Sequence, residues 1–290
     1  MRVLVVGTSG QLAMELQRQG QAFPIELLPP VKLDLTDAGA TRARLDQTRP
    51  KLVINASAYT AVDRAETESV QAQALNAEGP ARLAQWCDAE NASLFHVSTD
   101  YVFDGQKPTA YTEQDGPAPL GVYGRTKLEG EQLIRGRLER HLILRTSWVF
   151  SAHGQNFVKT MLRLARERDE LRVVADQRGK PTAASALARA LLTLATRLAS
   201  GAPLPWGTYH FAGDAATTWH GFAQAIVDAQ APYTGRKPLV TAIASSDYPT
   251  PATRPANSTL DTTLFEQTFA LQAPSWRDDL REVIREIVAH

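Results

Sequence analysis

The feature that most constrains this chain is the alternation, through its first half, of unbroken apolar runs with segments of helical spacing. Val3 to Val6, Leu52 to Asn55 and Leu94 to Ser98 are continuous β-prone runs. Such runs fit strands buried on both faces, the condition of a parallel sheet covered by helices. Gln11 to Gln19 and residues 69–90 carry helical apolar spacing between them, so the chain reads as strand, crossover helix, strand. Ile25 to Leu28 reads as a second strand and Val31-Lys32-Leu33-Asp34 as a short third, with Thr36 or Asp37 capping the next helix. Pro80 predicts a kink or local distortion inside 69–90.

Tyr123 to Arg135 is the next helical segment and Leu142 to Arg145 the next strand. Beyond Trp148 the pattern changes to longer loops and helices, such as Asn156 to Glu167 and Ala184 to Leu198. Residues 232–255 are rich in Pro, Ser and Thr, which predicts loop with a short strand over 239–243. A length of 290 residues with 43% hydrophobic content suits one large domain or two interleaved ones. The balance of 31 basic and 31 acidic side chains gives no general attraction to nucleic acid or to an anionic membrane, and neither is expected as a partner. No run reaches the roughly 18 to 20 apolar residues of a membrane span, and the segment 184–199 is interrupted by Arg189 and Arg197. The opening apolar run stops at Gly7, short of a signal peptide's apolar region, and Cys87 has no cysteine to pair with. Both fit a reducing, cytoplasmic setting.

Gly7-Thr8-Ser9-Gly10-Gln11-Leu12-Ala13 lies between the first strand and the first helix, where a dinucleotide turn belongs. Gly7 lets the chain turn, Gly10 lets backbone approach a pyrophosphate, and Ala13 lets the helix lie close on the strand. The spacing is G-x-x-G-x-x-A, which a tight ligand-free βα turn also satisfies. An acid after the second strand would favour NAD and an arginine NADP; the chain has Leu27-Leu28-Pro29-Pro30, so NADPH and NADH stay open. Asp34-Leu35 faces the adenine in one reading, and Asp34 caps a helix in the other.

Tyr123-Gly124-Arg125-Thr126-Lys127 sets a phenol and an ammonium four residues apart on one helical face. Carbonyl reduction needs a hydride on carbon and a proton on oxygen. A tyrosine of pKa about 10 is a reluctant acid, and a nearby lysine charge is expected to lower it toward the working range. Ser98 and Thr99 end a buried strand at the carboxyl edge of the sheet, where open α/β folds bind ligands, and either hydroxyl can hold a substrate oxygen near Tyr123. The expected architecture is therefore a Rossmann-type doubly wound parallel sheet with a smaller C-terminal α/β substrate domain. Residues 1–148 form the dinucleotide-binding part, 149–290 mainly the substrate part, and 207–229 pack back on the first.

The chain resembles the extended short-chain dehydrogenase/reductases, and within them the dTDP-4-dehydrorhamnose reductase family. The resemblance is carried by Gly7 to Leu12, by N-A-S-A-Y-T-A-V-D over 55–63, S-T-D-Y-V-F-D-G over 98–105 and R-T-S-W-V-F over 145–150. It continues through N-F-V-K-T-M over 156–161, Asp176-Gln177, Pro181-Thr182, G-T-Y-H over 207–210 and R-P-A-N-S over 254–258. It implies reduction of the C4 ketone of a dTDP-sugar by NADPH or NADH, with Tyr123 as proton donor, Lys127 on the nicotinamide ribose and Thr99 at the carbonyl. Asp100 would hold sugar hydroxyls, Trp148 would line the sugar pocket, and Arg254 and Asn257 would help the nucleotide diphosphate. Gly10, Gln11, Leu12, Asp34, Leu35, Ala58, Tyr59 and Thr60 match cofactor-contacting positions. A homodimer is among the assemblies it allows.

The chain departs from the family pattern at Arg178, Lys180 and Thr259, all in the substrate half. Some relatives bind Mg²⁺ between subunits through acids; Glu15 matches one, but Ser185 stands where a second would be, and no metal requirement is expected. His96, His141, His153, His210, His220 and His290 show no metal-ligand spacing and read as scattered surface or core residues. Two other functions fit the same frame. A nucleotide-sugar epimerase or dehydratase would share the fold, but Thr99-Asp100-Tyr101 lacks the extra acid of a dehydratase. A non-catalytic cofactor-binding subunit would not need Thr99, Tyr123 and Lys127 together.

Overall fold

The computed structural model describes residues 1–29 and 33–289. Its centre is a sheet of six strands among the described residues: β1 (Arg2–Val6), β2 (Glu26–Leu27), β3 (Leu52–Asn55), β4 (Ser93–Thr99), β5 (His141–Thr146) and Gly207–His210. The order across the sheet is Gly207–His210, β5, β4, β3, β1, β2, with every pair parallel. The chain leaves β1 for β2 on one side and returns to β3 on the other. That reversal opens a crevice at the carboxyl ends of β1 and β3, the switch point where doubly wound sheets bind ligands.

The unbroken apolar runs have the burial they require. Leu4, Val6, Val53, Leu94 and Ile143 face one layer, against Leu83, Ala84 and Ile134. Val3, Val5, Leu52, Ile54, Phe95, Leu142 and Leu144 face the other, against Leu16, Leu187 and Leu191. Successive strand residues thus enter opposite cores, and the polar residues these strands carry, among them Asn55, His96 and Arg145, are themselves buried.

Of the expected third strand, Val31 and Lys32 lie outside the described residues, and Leu33-Asp34 is not in a strand. Asp37 is the cap, its carboxylate accepting from the amide of Ala40 at 2.9 Å, and the helix Ala38–Thr48 follows. The distortion expected around Pro80 falls one turn earlier. Ser69–Gln73 is α-helical, Ala74–Glu78 is a π turn, and Gly79–Ala89 resumes the α-helix with Pro80 in its first turn. A proline there needs no hydrogen-bonded amide, so the ladder is widened before it instead of broken at it. The π turn directs Asn76 inward, where its side chain accepts from the amide of Tyr59 and donates to the carbonyl of Tyr59 and the hydroxyl of Thr126.

In the second half, Leu239–Ile243 pairs in parallel with Glu170–Val174 as a separate two-stranded ribbon. The loop expected from residue 232 begins later: Pro232 lies inside the helix Trp219–Thr234, which ends on left-handed Gly235. Gly207–His210 joins the main sheet beside β5. Among the described residues no helix is long and apolar enough to cross a membrane.

Candidate active site

The turn after β1 places Gly7 at φ +122°, a conformation that side chains rarely adopt, with Ala13 and the backbone of Ala56 closing in on its α-carbon. Gly10 is the N-cap of the helix Gln11–Gly20, and no side chain caps that end. The first-turn amides and the positive helix end therefore face an open space. This space is a cavity of about 900 Å³ that runs from Gly7, Gly10, Gln11 and Leu12, past Leu33, Asp34, Ala58 and Thr60, to Thr99, Asp100, Tyr123, Lys127 and Trp148. The uncapped end beside Gly7 and Gly10 suits a dinucleotide's pyrophosphate, and the cavity is of the size that holds cofactors.

Most of the residues singled out in the sequence meet in this cavity, and four do not line it. The carboxylate of Asp34 accepts from both the amide and the hydroxyl of Thr36, but its neighbour Leu35 is fully buried beneath Gly79. Tyr59 is held by Asn76 and turns its hydroxyl to Glu68. Arg254 is committed to a two-pronged pair with Asp63 at 3.0 and 2.8 Å. The amide of Asn257 donates to the carbonyls of Lys107 and Thr109, and its oxygen accepts from the amide of Thr259. Gln11 lines the cavity while its side chain spans to Val149, Ser151 and Asn156.

The reactive end is assembled by the helix Val122–Arg137 lying against the end of β4. A carboxylate from another element, Glu66, accepts from the amide of Val122 at the helix start. Gly124 allows close approach: a β-carbon there would stand 2.1 Å from the carbonyl oxygen of Tyr101. Tyr123 thereby meets Thr99, whose hydroxyl also accepts from the amide of Tyr101 and donates to the carboxylate of Asp100.

The charges at this end differ from expectation in one respect. Burial pushes the Tyr123 phenol up to about 12, with only partial relief from the Thr99 hydroxyl. The expected lowering of Tyr123 by Lys127 is absent, because the Lys127 amine is turned to the carbonyl of Val97 at 2.7 Å and to His96. Lys127 itself is pushed down to about 8 by burial, against the opposing charge of Glu131. Asp100 is pushed up to about 7 by burial, with the hydroxyls of Ser258 and Thr99 pulling the other way. The phenol is thus fully loaded with its proton at neutral pH, and the groups titrating nearer neutrality are its neighbours.

Behind Lys127, burial pushes the Glu131 carboxyl up, but Arg145, through hydrogen bonds of 2.7 to 3.2 Å, together with Ser98 and Arg135 leaves it below the usual carboxyl value. The Glu131 and Arg145 side chains are both buried. Removing one partner of such a pair strands the other. Arg145→Met is expected to cost about 3 kcal/mol of stability in urea unfolding, while Arg145→Met combined with Glu131→Leu recovers most of it.

At the other end of the cavity, Trp148 has left-handed backbone at φ +48° and stacks on Trp219 with ring centres 3.6 Å apart. Its indole also occupies the space above Gly179, between Arg178 and Lys180. Phe157 and Phe222 extend this aromatic wall. Trp219, Phe157 and Phe222 were not singled out in the sequence, since nothing local marks a helix aromatic as pocket-lining. His96, one of six histidines scattered through the sequence, adjoins Lys127; strand alternation, which puts it on the face of Ser98, is the signal the sequence carries for it.

Residues 1–289 match the family described as the RmlD substrate binding domain. A dTDP-4-dehydrorhamnose reductase of Sinorhizobium fredii is 41% identical over 286 residues, covering 98% of this chain and 97% of its own. The solved structure of a dTDP-4-dehydrorhamnose reductase from Clostridium acetobutylicum superposes with a TM-score of 0.91 at 35% identity, over 99% of both chains. The Bacillus anthracis enzyme of the same name, solved in complex with NADP, superposes with a TM-score of 0.88 at 35% identity, over 98% of this chain and 99% of its own.

Proposed function

This chain belongs to the RmlD substrate binding domain family, and from that premise we propose that it reduces the C4 ketone of dTDP-4-dehydro-L-rhamnose to dTDP-L-rhamnose with NADPH or NADH. The observation that carries the reading is the convergence of Thr99, Tyr123 and Lys127 at one end of a cavity whose other end is the glycine turn. When bound, the nicotinamide supplies a hydride to the carbonyl carbon. The chain's own part is to hold the oxygen and give it a proton. Thr99 and Tyr123 present hydroxyls to the carbonyl oxygen, and burial keeps the Tyr123 proton in place until an alkoxide forms. The Lys127 ammonium, at the same end of the cavity, donates to the nicotinamide ribose. Asp100 meets sugar hydroxyls, and the Trp148–Trp219 stack walls the sugar. The uncapped helix Gln11–Gly20 takes the pyrophosphate of the cofactor. Residues 1–148 hold the cofactor and 149–290 mainly the nucleotide-sugar. Buried, unpaired Cys87 suits the cytoplasmic setting that goes with this reading.

The Lys127 charge gives the reaction a pH signature. Lysine loses its charge as pH rises, so kcat/KM for reduction is expected to fall on the alkaline side with a midpoint near 8. A fall placed at the ordinary lysine value of about 10.4 contradicts this assignment. The reading itself is tested by supplying the enzymatically generated 4-keto sugar with NADPH and NADH in turn. Cofactor consumption matched by dTDP-L-rhamnose supports it. Tightly bound NAD with sugar interconversion and no net consumption favours the epimerase instead. Cofactor binding without any turnover favours a regulatory subunit.

A further inference from the structure

Lys127 is wired into the sheet as well as toward the cavity. Its Nζ lies 2.7 Å from the carbonyl oxygen of Val97 and 3.2 Å from Nε2 of His96. His96 is fully buried, and its Nδ1 lies 3.0 Å from Nδ2 of Asn55. The orientation of that amide is set independently, because Asn55 Oδ1 accepts from the amide of Ser57 at 3.1 Å. The NH₂ end of Asn55 therefore faces the ring. An amide NH₂ only donates, so Nδ1 accepts and the neutral imidazole carries its proton on Nε2, aimed at Lys127. An ammonium also only donates. The Nε2–H and a charged Lys127 oppose each other across the gap. A neutral amine accepts from Nε2–H and still donates to Val97.

We propose that His96 is a positioning residue, held by Asn55 and Ser57 with its proton on Nε2, which lowers the proton affinity of Lys127 and so sets the pH at which the site loses its cation. The other tautomer would set an Nδ1–H against the Asn55 NH₂, and an imidazolium would oppose both neighbours. Tyr123 and Glu131 flank Lys127 on its own helix, and Asp100 stands beyond the end of β4. Glu131 favours the ammonium, but its carboxylate is shared between Arg145 and Arg135. Burial acts in the same direction as the ring, and it holds His96 itself well below the ordinary histidine value.

The consequence for catalysis rests on the function proposed above, whereas the test reads the free protein and needs no turnover. The chain is labelled with ¹⁵N in histidine rings and ¹³C at lysine ε-carbons, with His96→Gln and Lys127→Met assigning the two signals. The expected spectra show a protonated Nε2 and an acceptor Nδ1 for His96 at neutral pH, and a Lys127 midpoint near 8. Asn55→Asp puts a carboxylate where the amide was, draws the ring proton to Nδ1 and leaves Nε2 as an acceptor. The Lys127 midpoint then rises, corresponding to about tenfold or more in proton affinity, and the alkaline fall in kcat/KM moves up with it. A proton on Nδ1 in the unmodified chain, or a Lys127 midpoint at the ordinary value of about 10.4, overturns the proposal. Both readouts come from the unmodified fold, so either contrary result overturns the proposal even where Asn55→Asp fails to fold.

Discussion

Tyr123→Phe is expected to lower kcat for reduction by roughly 10²- to 10⁴-fold while leaving NADPH affinity unchanged, because it removes an acid and no binding surface. The ring stays against Tyr101, with which Tyr123 makes an edge contact at 5.8 Å. What is lost is the proton that burial retains on the phenol and that Thr99 helps to position. Cofactor binding followed by fluorescence separates this effect from misfolding, and steady-state kinetics gives the loss. An unchanged kcat would remove Tyr123 from the role of acid and pass that role to a neighbour at the same end, Asp100 or Lys127.

The second large effect is expected from Gly124→Ala, a change of one methyl group next to the acid. Its β-carbon would sit 2.1 Å from a backbone oxygen, that of Tyr101, and 2.9 Å from Pro119. Neither backbone nor proline ring can swing aside as a flexible side chain would, so the helix carrying Tyr123 must lift from the end of β4. A displacement of about 1 Å in a reacting group costs on the order of 10²-fold in rate. Gly136→Ala on the same helix is the control. Nothing stands within 4 Å of a β-carbon there, so it is expected to leave kcat alone and to stabilise the exposed helix end by up to about 1 kcal/mol. Equal kcat values for the two variants would show that the close approach of Gly124 does not position Tyr123.

The parts of this molecule legible in the sequence are those whose physics is local. A strand buried on both faces is apolar at consecutive positions, as β1 is over 3–6 and β3 over 52–54, whereas β4 sets polar His96 and Ser98 among its apolar residues. The glycine turn and the Tyr123–Lys127 spacing are set by a single turn and a single helix. The π turn over 74–78 was not legible, because a one-residue change of hydrogen-bond register leaves apolar spacing almost untouched; only Pro80 hinted at it. Leu35 and Tyr59 adjoin cavity residues in the chain but face away, one into the core and one toward Asn76 and Glu68. Arg254 and Asn257 satisfy their polar groups within the chain, on partners about 190 and 150 residues away, a pairing that chain-local patterns do not encode. The same holds for Trp219, which reaches Trp148 through tertiary packing, and for His96, whose contact with Lys127 needs both the strand's facing and the helix's docking.

The most direct test of the central claim is the reverse reaction with purified protein, dTDP-L-rhamnose, and NADP⁺ or NAD⁺ in turn, followed by nicotinamide absorbance. The expected result is a small rise, limited by an equilibrium that favours reduction, that requires the sugar and vanishes in Tyr123→Phe. A rise that persists undiminished in Tyr123→Phe, or no turnover in either direction by a protein that still binds its cofactor, would contradict it.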